Sequence, residues 1–162
     1  MAALVTAFQG ITVANGYNNT VINVVKAIRD PKHIALSGFP EIGIEFGDST
    51  FKADDMDSAW TVFNEIVDVH VVGYIQSDVN AASDPENANE LSDLSESFCH
   101  DLKKKICTDI LVTNVADGTT PWNIERGDIT VGRAMFFGEQ RSIGMVYTSF
   151  KVRIRNQSAS FT

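Results

Sequence analysis

Apolar and polar positions fall along the chain in blocks of different period. Ala2 to Gln9 is a short apolar run stopped at Gly10, which predicts a brief helix, and Asn15-Gly16 marks a turn after it. Val21, Ile22, Val24, Val25 and Ile28 are mostly β-branched and run into Asp30-Pro31, the pattern of a strand closed by a proline turn. Beyond Ser37-Gly38-Phe39-Pro40, the residues Ile42, Ile44 and Phe46 alternate with Glu41, Gly43 and Glu45, as a half-buried strand does; Gly47-Asp48-Ser49-Thr50 then reads as a turn. Trp60 to Gln76 is the longest strand candidate. Phe63, Val67, Val69, Val71 and Ile75 share one parity, and Asn64, Asp68, His70, Tyr74 and Gln76 the other. Its 17 residues would span about 55 Å, more than a small domain needs, which predicts a bulge or an arm projecting beyond the body.

The second half changes period. Ser77 to Ser83 is polar, and Ser83-Asp84-Pro85-Glu86 combines a capping box with a proline in the first turn of a helix. Leu91, Leu94, Phe98, Leu102 and Ile106 follow at spacings of three and four, the stripe of an amphipathic helix, and Lys103, Lys104 and Lys105 sit in its last turns, where positive charge complements the dipole. Asp117-Gly118-Thr119-Thr120-Pro121 is a loop. Ile129 to Phe137 and Ser142 to Arg155 form a hairpin around Gly138-Glu139-Gln140. In its second arm Val146, Thr148, Phe150, Val152 and Ile154 face one way, and Tyr147, Ser149, Lys151, Arg153 and Arg155 the other. The order predicts a single α+β domain over residues 1–162, without internal repeats. Its sheet is mainly antiparallel, of four to five strands, with the long helix packed on one face and the short helix at the N-terminus.

Composition narrows the functional classes. A chain of 162 residues with 44% hydrophobic and 21% charged residues is an ordinary globular domain, not a disordered, collagen-like or disulfide-built one. The net charge of −8 repels polyanions and argues against wrapping DNA or adhering to anionic lipid. Cys99 and Cys107, eight residues apart on one expected helix, are separated by about 12 Å of rise, so they read as free, buried thiols suited to a reducing cytoplasm. Met1 to Val13 has the features of neither a signal peptide nor an anchor.

Candidate chemistry is sparse. Asp48, Asp54, Asp55 and Asp57 invite a calcium reading, but their spacing does not match a calcium loop, and solvated carboxylates describe them better. His33, His70 and His100 are isolated. Cys99 and His100 are adjacent on a helix and point about 100° apart, which does not make a nucleophile pair. No phosphate-binding or nucleophile-elbow motif is present, and the triple lysine reads as a solvated helix end. No cofactor or metal is expected. Charge, however, is unevenly distributed: from Glu41 to Asp101 it sums to −14, and from Arg126 to Arg155 to +4. Opposite patches on one protomer favour head-to-tail contact between copies, and such a contact closes into a ring when the rotation permits.

Several stretches in this order carry a resemblance to a known family. They are Ile11-Thr12-Val13-Ala14-Asn15-Gly16-Tyr17; Gly38-Phe39-Pro40-Glu41-Ile42-Gly43-Ile44; the strand from Trp60 to Gln76; Leu91-Ser92-Asp93-Leu94 with Asp101-Leu102; and Phe150-Lys151-Val152-Arg153-Ile154. From Ile11 onward the chain resembles the tail terminator, or tail completion, proteins of long-tailed bacteriophages, with a shorter N-terminal helix than the family pattern. The resemblance implies a non-enzymatic structural protein of the virion. Six copies would form a ring, assembled in the host cytoplasm, at the head-proximal end of the tail tube. That ring would stop the tube's growth and present a surface to the head connector or stopper. Its partners would be copies of itself, the tail tube protein and the connector, with no membrane, and DNA would pass through an acidic lumen without specific binding. Arg133, Arg141, Lys151, Arg153 and Arg155 are the candidates for inter-subunit pairing with the acidic middle of a neighbour. The stretches Asp48 to Asp57, which holds Asp54, Asp55 and Asp57, Gln76 to Ser83 and Asp117 to Arg126 are the candidate loops for contact between rings. The alternatives are a head–tail connector or stopper, another tail or baseplate component, a module of a prophage-derived secretion or contractile device, and, in another class, a small hydrolase or metal-dependent enzyme built on the aspartates or Cys99.

Overall fold

A computed structural model of the chain describes residues 1–53, 62–77, 85–110, 122–124, 129–137 and 142–157. The first helix, α1 (Ala2–Gln9), buries Leu4 and Phe8, one turn apart, and ends at Gly10 as expected. A 3₁₀ turn follows over Val13–Asn15. The Thr12 hydroxyl accepts from the Asn15 N–H, and Gly16 at φ 79° takes the left-handed position that closes the turn. The expected strand at residues 21–28 contracts to β1 (Asn23–Val25), because its apolar residues have separate destinations. Val21 bonds back to the Ile11 carbonyl and enters the main core, Ile22 donates to the Pro40 carbonyl, and Ile28 packs on the opposite side of the sheet.

The remaining strands are β2 (Glu41–Ala53), β3 (Val62–Ser77), β4 (Trp122–Ile124), β5 (Thr130–Phe137) and β6 (Ser142–Gln157). The fold is α+β. The sheet runs β1-β2-β3-β6, and β4 and β5 share the outer edge of β6 one beyond the other, so it is five positions wide. Only β1 with β2 is parallel; every other pairing is antiparallel, including the expected hairpin of β5 with β6. β4 lies in a stretch whose sequence suggested loop.

Two corrections concern β2 and β3. The Gly47-Asp48-Ser49-Thr50 stretch does not turn; β2 runs through it with a bulge, and the register to β3 shifts between Phe46 and Ser49. One extra residue reverses parity, so Ile42, Ile44 and Phe46 share a face with Val69 and Val71 before the bulge, and Ser49 and Phe51 share it with Val67 and Glu65 after it. The long strand thus meets a bulge in its partner rather than in itself. On β3, Val67, Val69, Val71 and Ile75 are buried on the expected face, but Tyr74, placed with the polar set, is fully buried on the other. The reason is the β1–β2 crossover, which lays Ile28, Ile34 and Phe39 over Val72, Tyr74 and Met145.

The helix α2 (Pro85–Lys104) starts with its proline in the first turn and continues as a π-helical turn over Lys105–Ile110. Leu91, Phe98, Leu102 and Ile106 are fully buried, as their spacing predicts, and Leu94, the fifth member of the stripe, is half-buried against the same core. Close approach is possible because the sheet presents bare backbone there: a Cβ on Gly73 would stand 2.5 Å from Phe98 Cε1 and 3.1 Å from Leu102 Cδ1, and one on Gly144 would collide with Ser95 Oγ. Cys99 is buried on the helix, whereas Cys107 is exposed on the π turn, so only one of the two thiols is the expected core residue.

Candidate functional site

The helix α2 presents three faces, and only the sheet-facing one is apolar. A second face holds the N-terminal segment. The Asp101 carboxylate is fully buried and accepts four hydrogen bonds, from Asn18 N and Nδ2 to Oδ1 at 2.9 Å each, and from Asn19 N and Nδ2 to Oδ2 at 2.8 Å each. One turn on, the Lys104 ammonium donates to the Gly16 carbonyl at 2.7 Å and lies 4.7 Å over the Tyr17 ring, with the Lys105 ammonium 5.5 Å from the same ring. The triple lysine is therefore not a solvated helix end. Lys105 is buried and Lys104 half-buried against Tyr17, and Lys103 alone of the three is exposed.

The third face carries Glu96, Cys99, His100 and Lys103, spaced so that they line one side of the helix. It looks across an open cleft of about 430 Å³ to Val131, Gly132 and Arg133 on β5. Arg133 bridges this cleft to Glu96 at 3.5 Å, with both side chains largely exposed. His100 and Lys103 are exposed, with neither a hydrogen bond nor an ion pair among the described residues. Among the described residues the cleft thus sets one lysine, one arginine and an imidazole against one carboxylate. Elsewhere on α2, a shallower surface is lined by Asn89, Glu90, Asp93, Leu94 and Ser97 and has the opposite sign.

The other face of the sheet carries two charge arrangements. At its β1 end, Glu41 is fully buried under Arg29, whose guanidinium forks onto both carboxylate oxygens, with Nε at 3.0 Å from Oε1. That hydrogen bond raises the Arg29 pKa above its ordinary value, and the Tyr74 hydroxyl donates to the Arg29 carbonyl at 2.7 Å. Burial, the largest influence, pushes the Tyr74 phenol up. At the β6 end, Lys151 faces Asp68 at 3.7 Å and Arg153 is exposed beside it, while the register puts Arg155 at the same parity.

The candidate pairing residues therefore separate. Lys151 and Arg153 share one face as the alternation predicted, with Arg155 at the same parity in the register, whereas Arg133 lies on the helix side, paired within its own chain. Arg141, Asp54, Asp55 and Asp57 lie outside the described residues, as do most of the stretches Gln76 to Ser83 and Asp117 to Arg126. Asp48 is described and sits at the β2 bulge rather than in a loop. His33, His70 and His100 are exposed and scattered over a 3₁₀ turn, β3 and α2; among the described residues no three His, Cys, Asp or Glu side chains converge as metal ligands would, and no helix is long and apolar enough to cross a membrane. Sequence reasoning missed Asp101, Glu41 and the Lys103–His100 face. For Asp101 the available signal was a carboxylate next to the apolar stripe residue Leu102, with Asn18-Asn19 as its only polar-rich match in the N-terminal segment.

No family model matches the chain, and no curated protein matches it.

Proposed function

We propose that the protein is a structural component of a long-tailed bacteriophage, a tail terminator whose copies form a ring on the tail tube. Ring formation would end tube polymerisation and offer an attachment surface to the head connector. The family comes from the resemblance of element order and motifs. One structural observation supports a role in assembly: the sheet runs on past the last buried pair among its described residues. Val67 and Val152, partners in the β3–β6 ladder, are the last described buried pair on the helix side. Beyond them β3 and β6 stay paired for five more positions, residues 62–66 and 153–157, which is about 16 Å of sheet. On this extension Phe51 is 53% exposed, and near its base, across the bulge, Phe46 is 37% exposed on the same face. Ordered sheet of this length, with no fully buried side chain among the described residues of its helix side, suits contact with other chains.

The edges support the same reading. Among the described residues β1 pairs only with Glu41, Ile42 and Gly43, which leaves the outer edge of β2 from Ile44 onward, and that of β5, without a partner strand. Two such edges on opposite sides of one sheet suit heterologous contacts, which close into rings when the rotation between copies permits. Negative-stain microscopy of the purified protein, alone and mixed with tail tubes, tests the proposal. Rings, or caps at one end of the tubes that prevent further growth, are expected. Tubes that remain uncapped and keep elongating at saturating protein would refute it.

A further inference from the structure

We propose that the cleft between α2 and β5 is a socket for the acidic segment 54–57 of a neighbouring copy. This rests on the ring reading above and names one contact that would hold the ring together. The cleft, at about 430 Å³, is large enough for a few side chains and open to solvent. It is a positive island on a chain of net charge −8: Lys103 and Arg133 line it beside the His100 imidazole, and among the described residues Glu96 is the sole carboxylate in its lining.

The complementary element is unusually dense in charge. Asp54, Asp55 and Asp57 place three carboxylates within four positions, directly after the last residue of β2. Glu90 and Asp93, the acidic pair on α2, offer two on a shallow helix surface.

Register rules out pairing within one chain. Ala53 lies opposite Phe63, whereas Arg133 lies opposite Val146 and, through it, Gly73. The ten residues of β3 between these rows span about 33 Å, and the three strand spacings from β2 to β5 add about 14 Å across the sheet. The two points are thus roughly 36 Å apart, while residue 57 extends at most about 14 Å from Ala53. A protomer therefore carries two charge-complementary features that cannot meet each other, at opposite edges and opposite ends of its sheet. Between copies they can meet, and the contact is head to tail.

Charge exchange on the full-length protein tests this, read by ring yield in negative stain and by mass in multi-angle light scattering, with tail tubes present and absent. Circular dichroism and thermal melting serve as the folding control. Lys103→Glu with Arg133→Glu is expected to need at least about tenfold more protein to form rings, and so is Asp54→Lys with Asp55→Lys and Asp57→Lys. Mixing the two variants restores rings of alternating copies, because the wild-type cleft of one takes the wild-type segment of the other and the two reversed halves are complementary in turn, and combining all five substitutions in one chain restores rings as well. Lys103→Gln, which leaves the Arg133–Glu96 pair in place, gives a smaller loss in the same direction. Wild-type rings alongside undiminished rings from the cleft-reversed variant would overturn this contact and leave the ring intact as a reading. Failure of the five-substitution chain to recover while it melts like wild type would also overturn it. A wild-type protein that forms neither rings nor caps would overturn both.

Discussion

Replacing Asp101 by Asn is the sharpest test of how the N-terminal segment is held. The two side chains have nearly the same shape, but all four partners of Asp101 are N–H donors, two on each oxygen. An amide at position 101 must aim its NH₂ group at one pair of donors. Two hydrogen bonds are then lost to donor–donor opposition, and the remaining two change from charge-assisted to neutral, at roughly half the strength. Counting each charge-assisted bond at its full net value would overstate the loss, because Asn18 and Asn19 are partly exposed in the segment and recover water when it lifts. A cost of about 2–4 kcal/mol is expected for Asp101→Asn, close to that of Asp101→Ala. For a domain of this size that corresponds to a fall in melting temperature of roughly 5–15 °C.

Calorimetry gives the global cost, and amide exchange locates it. Protection at Asn18 and Asn19 should fall first, since both N–H groups donate to this carboxylate. Protection in β3 and β6 should fall only as far as global stability does. An Asp101→Asn protein within about 0.5 kcal/mol of wild type would refute the reasoning, since it would mean that shape alone, not acceptor chemistry, is needed there.

Three further outcomes follow from other parts of the structure. Gly73→Ala should cost about 1–3 kcal/mol in denaturant titrations, because the new methyl group meets the Phe98 and Leu102 side chains and α2 must move away from the sheet; a neutral result would show that the helix has slack. Tyr74→Phe should flatten the alkaline stability profile: the folded phenol pKa lies above its ordinary 10.0, so its contribution is complete below about pH 10 and is lost as pH rises from there through the folded value, with a slope of up to about 1.4 kcal/mol per pH unit that the variant lacks. Arg153→Glu with Arg155→Glu should lower ring yield in light scattering while leaving the melting temperature within a few degrees, whereas an unchanged oligomer mass would remove these residues from the assembly surface.

What could be read from the sequence divides along the range of the interactions. The helix stripe Leu91, Phe98, Leu102 and Ile106 is set by a local period that only burial of one face explains, so it survives into the structure. The β5–β6 hairpin survives for the same reason. Glycine-rich polar stretches are less decisive: Gly47-Asp48-Ser49-Thr50 has the residues of a turn, but β3 supplies a ladder on one side, and the chain takes a bulge instead of reversing. Single polar residues are the least readable, because their partners are remote. Asp101 is answered from 82 and 83 positions away and Tyr74 from 45, and no local period records either match.

The same division governs function. A catalytic motif announces itself by short spacing, but a surface built for other chains is assembled from distant segments and leaves only a bias in charge. That bias here has two ends, an acidic middle and a basic stretch from Arg126 to Arg155, and the fold gives each a different fate. Lys151 and Arg133 have carboxylates of their own chain within 4 Å, at Asp68 and Glu96. Lys103, from a lysine run whose other two members are occupied with Tyr17, stands exposed at the mouth of a cleft. A basic residue already paired within its chain gains little from a neighbour, since the new contact must replace an existing one. Among the described residues Lys103 has no such partner to give up, so reversing its charge should affect assembly more than reversing Lys151 does. Comparing the ring yields of Lys103→Glu and Lys151→Glu decides the point, and equal losses would show that total charge, rather than placement, drives association.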